Sequence, residues 1–162
     1  MKYRAYRYRL SPNEEQKVLI AKHLGSCRFI YNYALAKKVK AYQVDGTNLS
    51  RFDIQADLPN MKKSDEYCWL KEVNSLSLQA SLANLDSAYT KFFREKKGFP
   101  KFKSKKDSKQ SFSIPQNTKV DFENGRVFIP KFKIGIKAKL HRTFEGIVKS
   151  STITRTSTGK IG

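Results

Sequence analysis

The side chains able to do acid–base, nucleophilic or metal chemistry in this chain are few and dispersed. His23 and His141 are the only histidines, and neither sits in a pattern from which a Ser/His/Asp triad is built, so each reads as a surface or rim residue. A metal-dependent nuclease needs carboxylates that converge on Mg²⁺. The acids here instead suit local roles: Glu14 and Glu15 in a helix cap, Asp45 in a turn, Asp121 and Glu123 beside an Asn-Gly pair. Cys27 and Cys68 lie 41 residues apart without a CxxC partner, and read as small buried thiols of a reducing compartment, not as zinc ligands. The phosphate cradle G-x-x-x-x-G-K-[ST] is missing as well. No catalytic residue, metal ligand or cofactor is assigned to these residues.

Binding chemistry is better represented. The 162 residues carry 33 Lys and Arg against 14 Asp and Glu, a net charge of +19, with an isoelectric point near 10.0. Such a field attracts polyanions, among which nucleic acid is the expected partner of a soluble protein. The charge is also uneven: residues 1–90 hold 14 basic and 9 acidic side chains, residues 91–162 hold 19 and 5. An anionic membrane surface is the weaker alternative, since no long basic amphipathic helix is present. KKGFPKFKSKK interleaves Phe99 and Phe102 with Lys96, Lys97, Lys101, Lys103, Lys105 and Lys106. The lysines suit phosphate contact; the rings either stack on unpaired bases or anchor the segment to a core, and anchoring is favoured. Asn74, Ser75, Ser77 and Gln79 gather at a helix start, where amides can pair with adenine edges and the helix end suits phosphate. On residue types alone, capping by Asn74 or Ser75 with Gln79 in solvent is the preferred reading.

The elements that would position these residues begin with a half-buried strand. In residues 2–10, Tyr6, Tyr8 and Leu10 alternate with Arg7 and Arg9. Ser11-Pro12-Asn13-Glu14 then reads as a capping box opening a helix to about Leu24, ended by Gly25. A second helix is predicted over 26–44, with Cys27, Ile30, Tyr33 and Ala34 inward and Arg28, Lys37, Lys38 and Lys40 outward. A short helix over 50–58 is closed by Pro59-Asn60. Between Asn74 and Arg94, Leu78, Leu82, Leu85, Tyr89 and Phe92 form a clean amphipathic stripe. Beyond a Lys-rich stretch come short β segments: QSFSI, VDFE-NG-RVFI, KIGIKAKL and VKSSTITRT. Asn124-Gly125 is a hairpin signal in which both turn positions need φ > 0. A turn at 157–159 should lead into a returning strand, of which only Ile161-Gly162 follows, and the chain reads as truncated. No run of 18 apolar residues would span a membrane and the N-terminus lacks the apolar stretch of a secretory signal.

Taken together, YRYRLSPNEEQ, GSCRFIYNYAL, LQASLANLDSAYTKFF, GFPKFKSKK and STITRTSTGK resemble, in order and spacing, the TnpB/OrfB family. These are transposon-encoded, RNA-guided DNA nucleases of insertion sequences that look ancestral to type V CRISPR effectors. The resemblance implies an α+β fold in which an antiparallel, wedge-type β-barrel is interrupted by a helical insertion of about four helices. Residues 1–10 would be the first wedge strand, 11–95 the recognition domain with helix-turn-helix character, 96–110 a basic linker and 111–162 the remaining wedge strands. It also implies a guide-RNA scaffold and double-stranded DNA as partners, with neither a membrane nor a small-molecule substrate, in the nucleoid-associated cytoplasm of a prokaryote. Readers of a DNA motif flanking the target fall at Arg51, Phe52, Asn74, Ser75, Ser77 and Gln79. Positions facing nucleic-acid backbone fall at Arg4, Arg7, Lys97, Lys101, Lys103, Lys105, Lys106 and Arg155.

The family's nuclease carboxylates and zinc-ribbon cysteines have no counterpart among these residues, so Mg²⁺ and Zn²⁺ are implied only for a C-terminal half and the chain alone is not expected to cut. The leading expectation is RNA and DNA binding as the N-terminal portion of an RNA-guided endonuclease. The rivals are a free-standing DNA- or RNA-binding regulator and a basic RNA-binding protein of ribosomal type.

Overall fold

The computed structural model describes residues 4–96, 98–107, 109–157 and 159–162. Strand β1 (Arg9–Ser11) leads into a long helix, α1 (Glu14–Asp45). Two short helices follow, α2 (Arg51–Gln55) and α3 (Leu58–Lys63), then a 3-10 helix (Cys68–Glu72) and α4 (Ser75–Glu95). The strands β2 (Lys109–Ile114), β3 (Lys119–Asp121), β4 (Arg126–Phe128), β5 (Ile136–Lys139) and β6 (Ser151–Thr156) complete the order.

α1 corrects three expectations. Its N-cap is Asn13, not Ser11: the Asn13 carboxamide accepts the Gln16 N–H at 2.8 Å and Gln16 returns a bond to the Asn13 N–H at 3.0 Å. Ser11 ends β1 instead. The helix does not stop at Gly25. A buried stripe of Ile20, Leu24, Cys27, Ile30, Tyr31, Ala34 and Leu35 passes straight through that glycine, and its packing outweighs the ~1 kcal/mol that a mid-helix glycine costs. Termination waits for Gly46, in the left-handed conformation at φ 70°, whose N–H caps the Tyr42 carbonyl. Lys38 is inward, not outward: the residue is buried.

Pro59 opens α3 rather than closing its predecessor, being within its first turn, where a missing N–H costs nothing. α4 follows the sequence stripe, with Leu78, Leu82 and Leu85 fully buried and packed along α1. The histidine and cysteine expectations divide. His23 is a core residue and Cys68 is exposed, while His141 is exposed and Cys27 buried. Cys27 Sγ donates to the Ser77 carbonyl at 3.6 Å, and burial pushes its thiol pKa up to about 11.

The strands are antiparallel. One sheet runs β1-β5-β4-β3 and a ribbon pairs β2 with β6; Ile161 bridges the two, facing both Leu10 and Arg155. Among the described residues the sheets do not close into the barrel that the family resemblance implied. The α+β class with antiparallel sheets stands. β3 and β4 form a hairpin, yet only Gly125 takes positive φ (65°). Asp121 accepts bonds from the Asn124 N–H and side-chain amide at 3.2 and 2.8 Å, so a four-residue loop (122–125) replaces the tight turn. A single hydrophobic cluster joins helices to strands. His23 stands at that junction, its ring 4.9 Å from Phe112 and 5.6 Å from Phe132.

Candidate nucleic-acid interface

Three surfaces hold the residues singled out in the sequence. The first is where α2 meets α4. Arg51 stands above Asp86 with Nε 3.8 Å from the carboxylate and its guanidinium 4.9 Å from the Phe52 ring. Phe52 is left 64% exposed. Behind it Lys38 reaches Asp86 at 3.5 Å, donates to the Leu49 carbonyl at 2.6 Å and lies 4.9 Å from the Tyr89 ring. Asp86 thus fixes two cations, one buried and one available. Gln79 is half-buried on α4, two turns before Asp86 and so about 10 Å along the same stripe.

The start of α4 is arranged differently from its prediction. Asn74 occupies the N-cap without accepting a capping bond. It is buried, and its amide donates to the Ser77 hydroxyl at 3.2 Å; Ser77 is itself fully buried. The Asn74 N–H donates to His23 Nε2 at 3.1 Å, while His23 Nδ1–H donates to the Leu19 carbonyl at 2.9 Å. Burial lowers the imidazole pKa, which keeps the neutral form this two-sided bonding requires. Asn74 and Ser77 therefore sit beneath the surface as supports, whereas Ser75 is exposed.

The second surface is the lysine-rich segment. Asn32 of α1 clamps it by two bonds to the backbone of Lys103, donating to the carbonyl at 2.9 Å and accepting the N–H at 2.8 Å. Lys103 Nζ lies 4.4 Å from the Tyr31 ring, and loss of hydration lowers its pKa. A turn from Ser104 to Asp107 follows, and Gln110 ties the Lys105 carbonyl back at 2.9 Å while accepting from Arg28 at 3.2 Å. Lys101, Lys105 and Lys106 are exposed, and among the described residues none has a carboxylate within ion-pair distance. Phe99 anchors, meeting Tyr89 and Phe92 edge-on at 5.5 and 5.2 Å, whereas Phe102 stays 61% exposed. Asn32 escaped the sequence reading; the signal was a lone amide on an otherwise apolar and aromatic stretch. Lys97 lies outside the described residues.

The third surface gathers the chain's two ends. Arg7 and Arg9 line a groove with Thr154, Thr156, Lys160 and Gly162. Arg4 is exposed nearby in sequence, and Arg155 is half-buried on β6 opposite Gln110. The structure does not merge these positions with the α2–α4 surface into one cleft. Among the described residues no group of three His, Cys, Asp or Glu side chains could hold a metal ion. Cys27 and Cys68 sit on separate elements, one buried and one exposed. Among the described residues no helix is long and apolar enough to cross a membrane.

The fold and its surfaces define an α+β module with exposed cations on three separate surfaces. Residues 1–47 match a family model of the OrfB/IS605 kind, described as a helix-turn-helix domain; here residues 14–45 run as one uninterrupted helix after β1. The chain is 34% identical over 156 residues to the "Putative RNA-guided DNA endonuclease InsQ" of Escherichia coli K12, a match covering 96% of this chain and 38% of that protein. It is 28% identical over 151 residues to a Streptomyces pristinaespiralis protein of like name, covering 93% of this chain and 37% of that one. It is also 37% identical over 111 residues to the virulence protein VsdF of Salmonella dublin, covering 63% of this chain and 93% of that protein. The chain belongs to the TnpB/OrfB family. It spans less than two-fifths of the two endonuclease-named relatives.

Proposed function

We propose that this chain is the nucleic-acid-gripping portion of an RNA-guided DNA endonuclease of the TnpB type: residues 1–10 and 111–162 as the wedge, 11–95 as the recognition part and 96–110 as a basic connection. It binds the guide-RNA scaffold and a DNA motif flanking the target, and cleavage is not a property of these residues. The observation that carries this reading is the clamped lysine segment. Asn32 holds the backbone at Lys103 in a fixed place, so Lys101, Lys105 and Lys106 present charge from a pre-ordered frame, and the ordering entropy is not lost on binding. Arg51, Phe52, Ser75 and Gln79 form the surface suited to base edges, supported from below by Asn74 and Ser77. Arg4, Arg7 and Arg155 add backbone contacts.

The test is a titration of guide RNA and duplex DNA over a salt series. Replacing both Lys105 and Lys106 with Gln should lower the slope of log K against log[salt] by about one unit per phosphate lost, for every sequence alike. Gln79→Ala should reduce discrimination between motif and non-motif duplex by roughly 1–3 kcal/mol. Binding of neither RNA nor DNA at low salt refutes the reading. A second reading, a free-standing binding module, is favoured by one fact: the match covers 63% of this chain but 93% of VsdF, so a large part of the module makes up nearly the whole of another protein.

A further inference from the structure

Lys103 differs from Lys101, Lys105 and Lys106 in the surroundings of its amine. Its backbone is held on both sides by Asn32, and its side chain lines a cavity of about 110 Å³ between α1, α4 and β2. Leu24 and Cys27 are buried in the cavity wall, and burial keeps the Cys27 thiol protonated at neutral pH. Arg28 and Lys109 line the same cavity, so three cations stand against one carboxylate, Asp107. Asp107 is already engaged by the Ser104 N–H at 3.1 Å. Arg28 is oriented by a neutral acceptor, the Gln110 amide oxygen, at 3.2 Å. Such an imbalance suits a small anion.

Lys103 is also the nucleophile of that cavity. An amine attacks only in its unprotonated form, and an ammonium deprived of water gives up its proton more readily. Loss of hydration lowers the Lys103 pKa and outweighs the opposite pull of Cys27 and Asp107. The residue is still open to solvent, so a small reagent can reach it. With Nζ 4.4 Å from the Tyr31 ring, the amine is placed as well as activated.

We propose that Lys103 is an acylation site, and that the cavity beside it admits an acyl phosphate as the donor. The donor's phosphate lies with Arg28 and Lys109. Neutral Nζ attacks the carbonyl carbon; a C–N bond forms and the C–O bond to the phosphate breaks. The phosphate leaves with that electron pair and takes the proton shed by nitrogen. An amide and inorganic phosphate result, and nothing is oxidised or reduced. The amide is uncharged, so acylation removes one cation from the clamped segment. That consequence rests on the reading that the segment grips nucleic acid; the modification itself does not.

The experiment treats the whole chain with acetyl phosphate near neutral pH and follows each lysine by peptide mass spectrometry. Lys103 should be acetylated about three- to ten-fold faster than Lys101, Lys105 and Lys106. The margin should shrink as pH rises towards about 10.4, where ordinary lysines also lose their protons. Added inorganic phosphate should slow Lys103 and leave its neighbours unchanged, and Asn32→Ala should bring Lys103 down to their rate. Acetylation of Lys103 no faster than its neighbours, or at a rate that phosphate does not touch, overturns the site. Lys103→Gln, which mimics the neutral amide, should lower the salt slope for nucleic acid by about one unit. A chain that binds no nucleic acid yet acetylates Lys103 first refutes the gripping role and leaves the modification site standing.

Discussion

The helical and sheet regions of this protein treat positive charge in opposite ways. Between residues 14 and 86, Lys17, Lys22, Lys37, Lys38 and Arg51 each face a carboxylate, and Lys38 is drawn into the core by Asp86, Leu49 and Tyr89. In the sheet, Arg126 and Arg9 face lysines. The helices use cations as joints; the sheet sets two of them opposite lysines, with Asp121 the acid next in the row to Arg126. The location of a cation therefore foretells whether its loss destabilises the fold.

The largest expected effect falls at the place where the regions join. His23→Ala removes the imidazole that links Leu19, Asn74, Phe112 and Phe132, and leaves the buried Asn74 N–H without its partner. A loss of roughly 3–5 kcal/mol in denaturant unfolding is expected. A loss under 1 kcal/mol would mean that the two regions fold without this joint.

Lys38→Ala and Lys139→Gln sharpen the contrast directly. The first should cost about 2 kcal/mol, through the charged bond to the Leu49 carbonyl and the contact with Tyr89. The second should leave stability within about 0.5 kcal/mol or raise it. Equal costs at both sites would erase the distinction between joint and opposed cations.

The smallest effect is a pH slope. Burial lowers the His23 pKa, so the fold keeps the ring neutral while the unfolded chain takes up a proton near the ordinary value of 6.5. Stability is then highest above that value and declines as pH falls through it. His23→Gln should abolish this slope in a melting series, whereas Lys139→Gln should retain it.

These contrasts were unevenly legible in the sequence. The stripe of α4 is plain because one side alone meets the core. α1 is not, because Gln16, His23, Ser26 and Lys38 are buried polar residues that blur its apolar face, and Gly25 mimics an ending. SPNEEQ contains two competing caps, and Asn13 with Gln16 prevails over Ser11 with Glu14. Composition exposed the lysine segment, but not the Asn32 clamp that gives it shape. The opposed cations were invisible for a deeper reason: which residue faces which across strands depends on a register set by contacts more than a hundred residues apart in β1 and β5. Asn74 and Ser77 illustrate the converse, residues of the right type at the right helix end whose side chains are turned to each other.

The bridge made by Ile161 has a consequence for the order of assembly. The Leu10 N–H is bonded to the Ile161 carbonyl at 2.9 Å, and Thr154 exchanges two bonds with Gly162. A ribosome therefore delivers one half of this seam at the outset and the other only after some 150 further residues. α1 and α4 can form while translation proceeds, but β1 must wait as a bare edge until β5 emerges, and the Ile161 seam closes only after that.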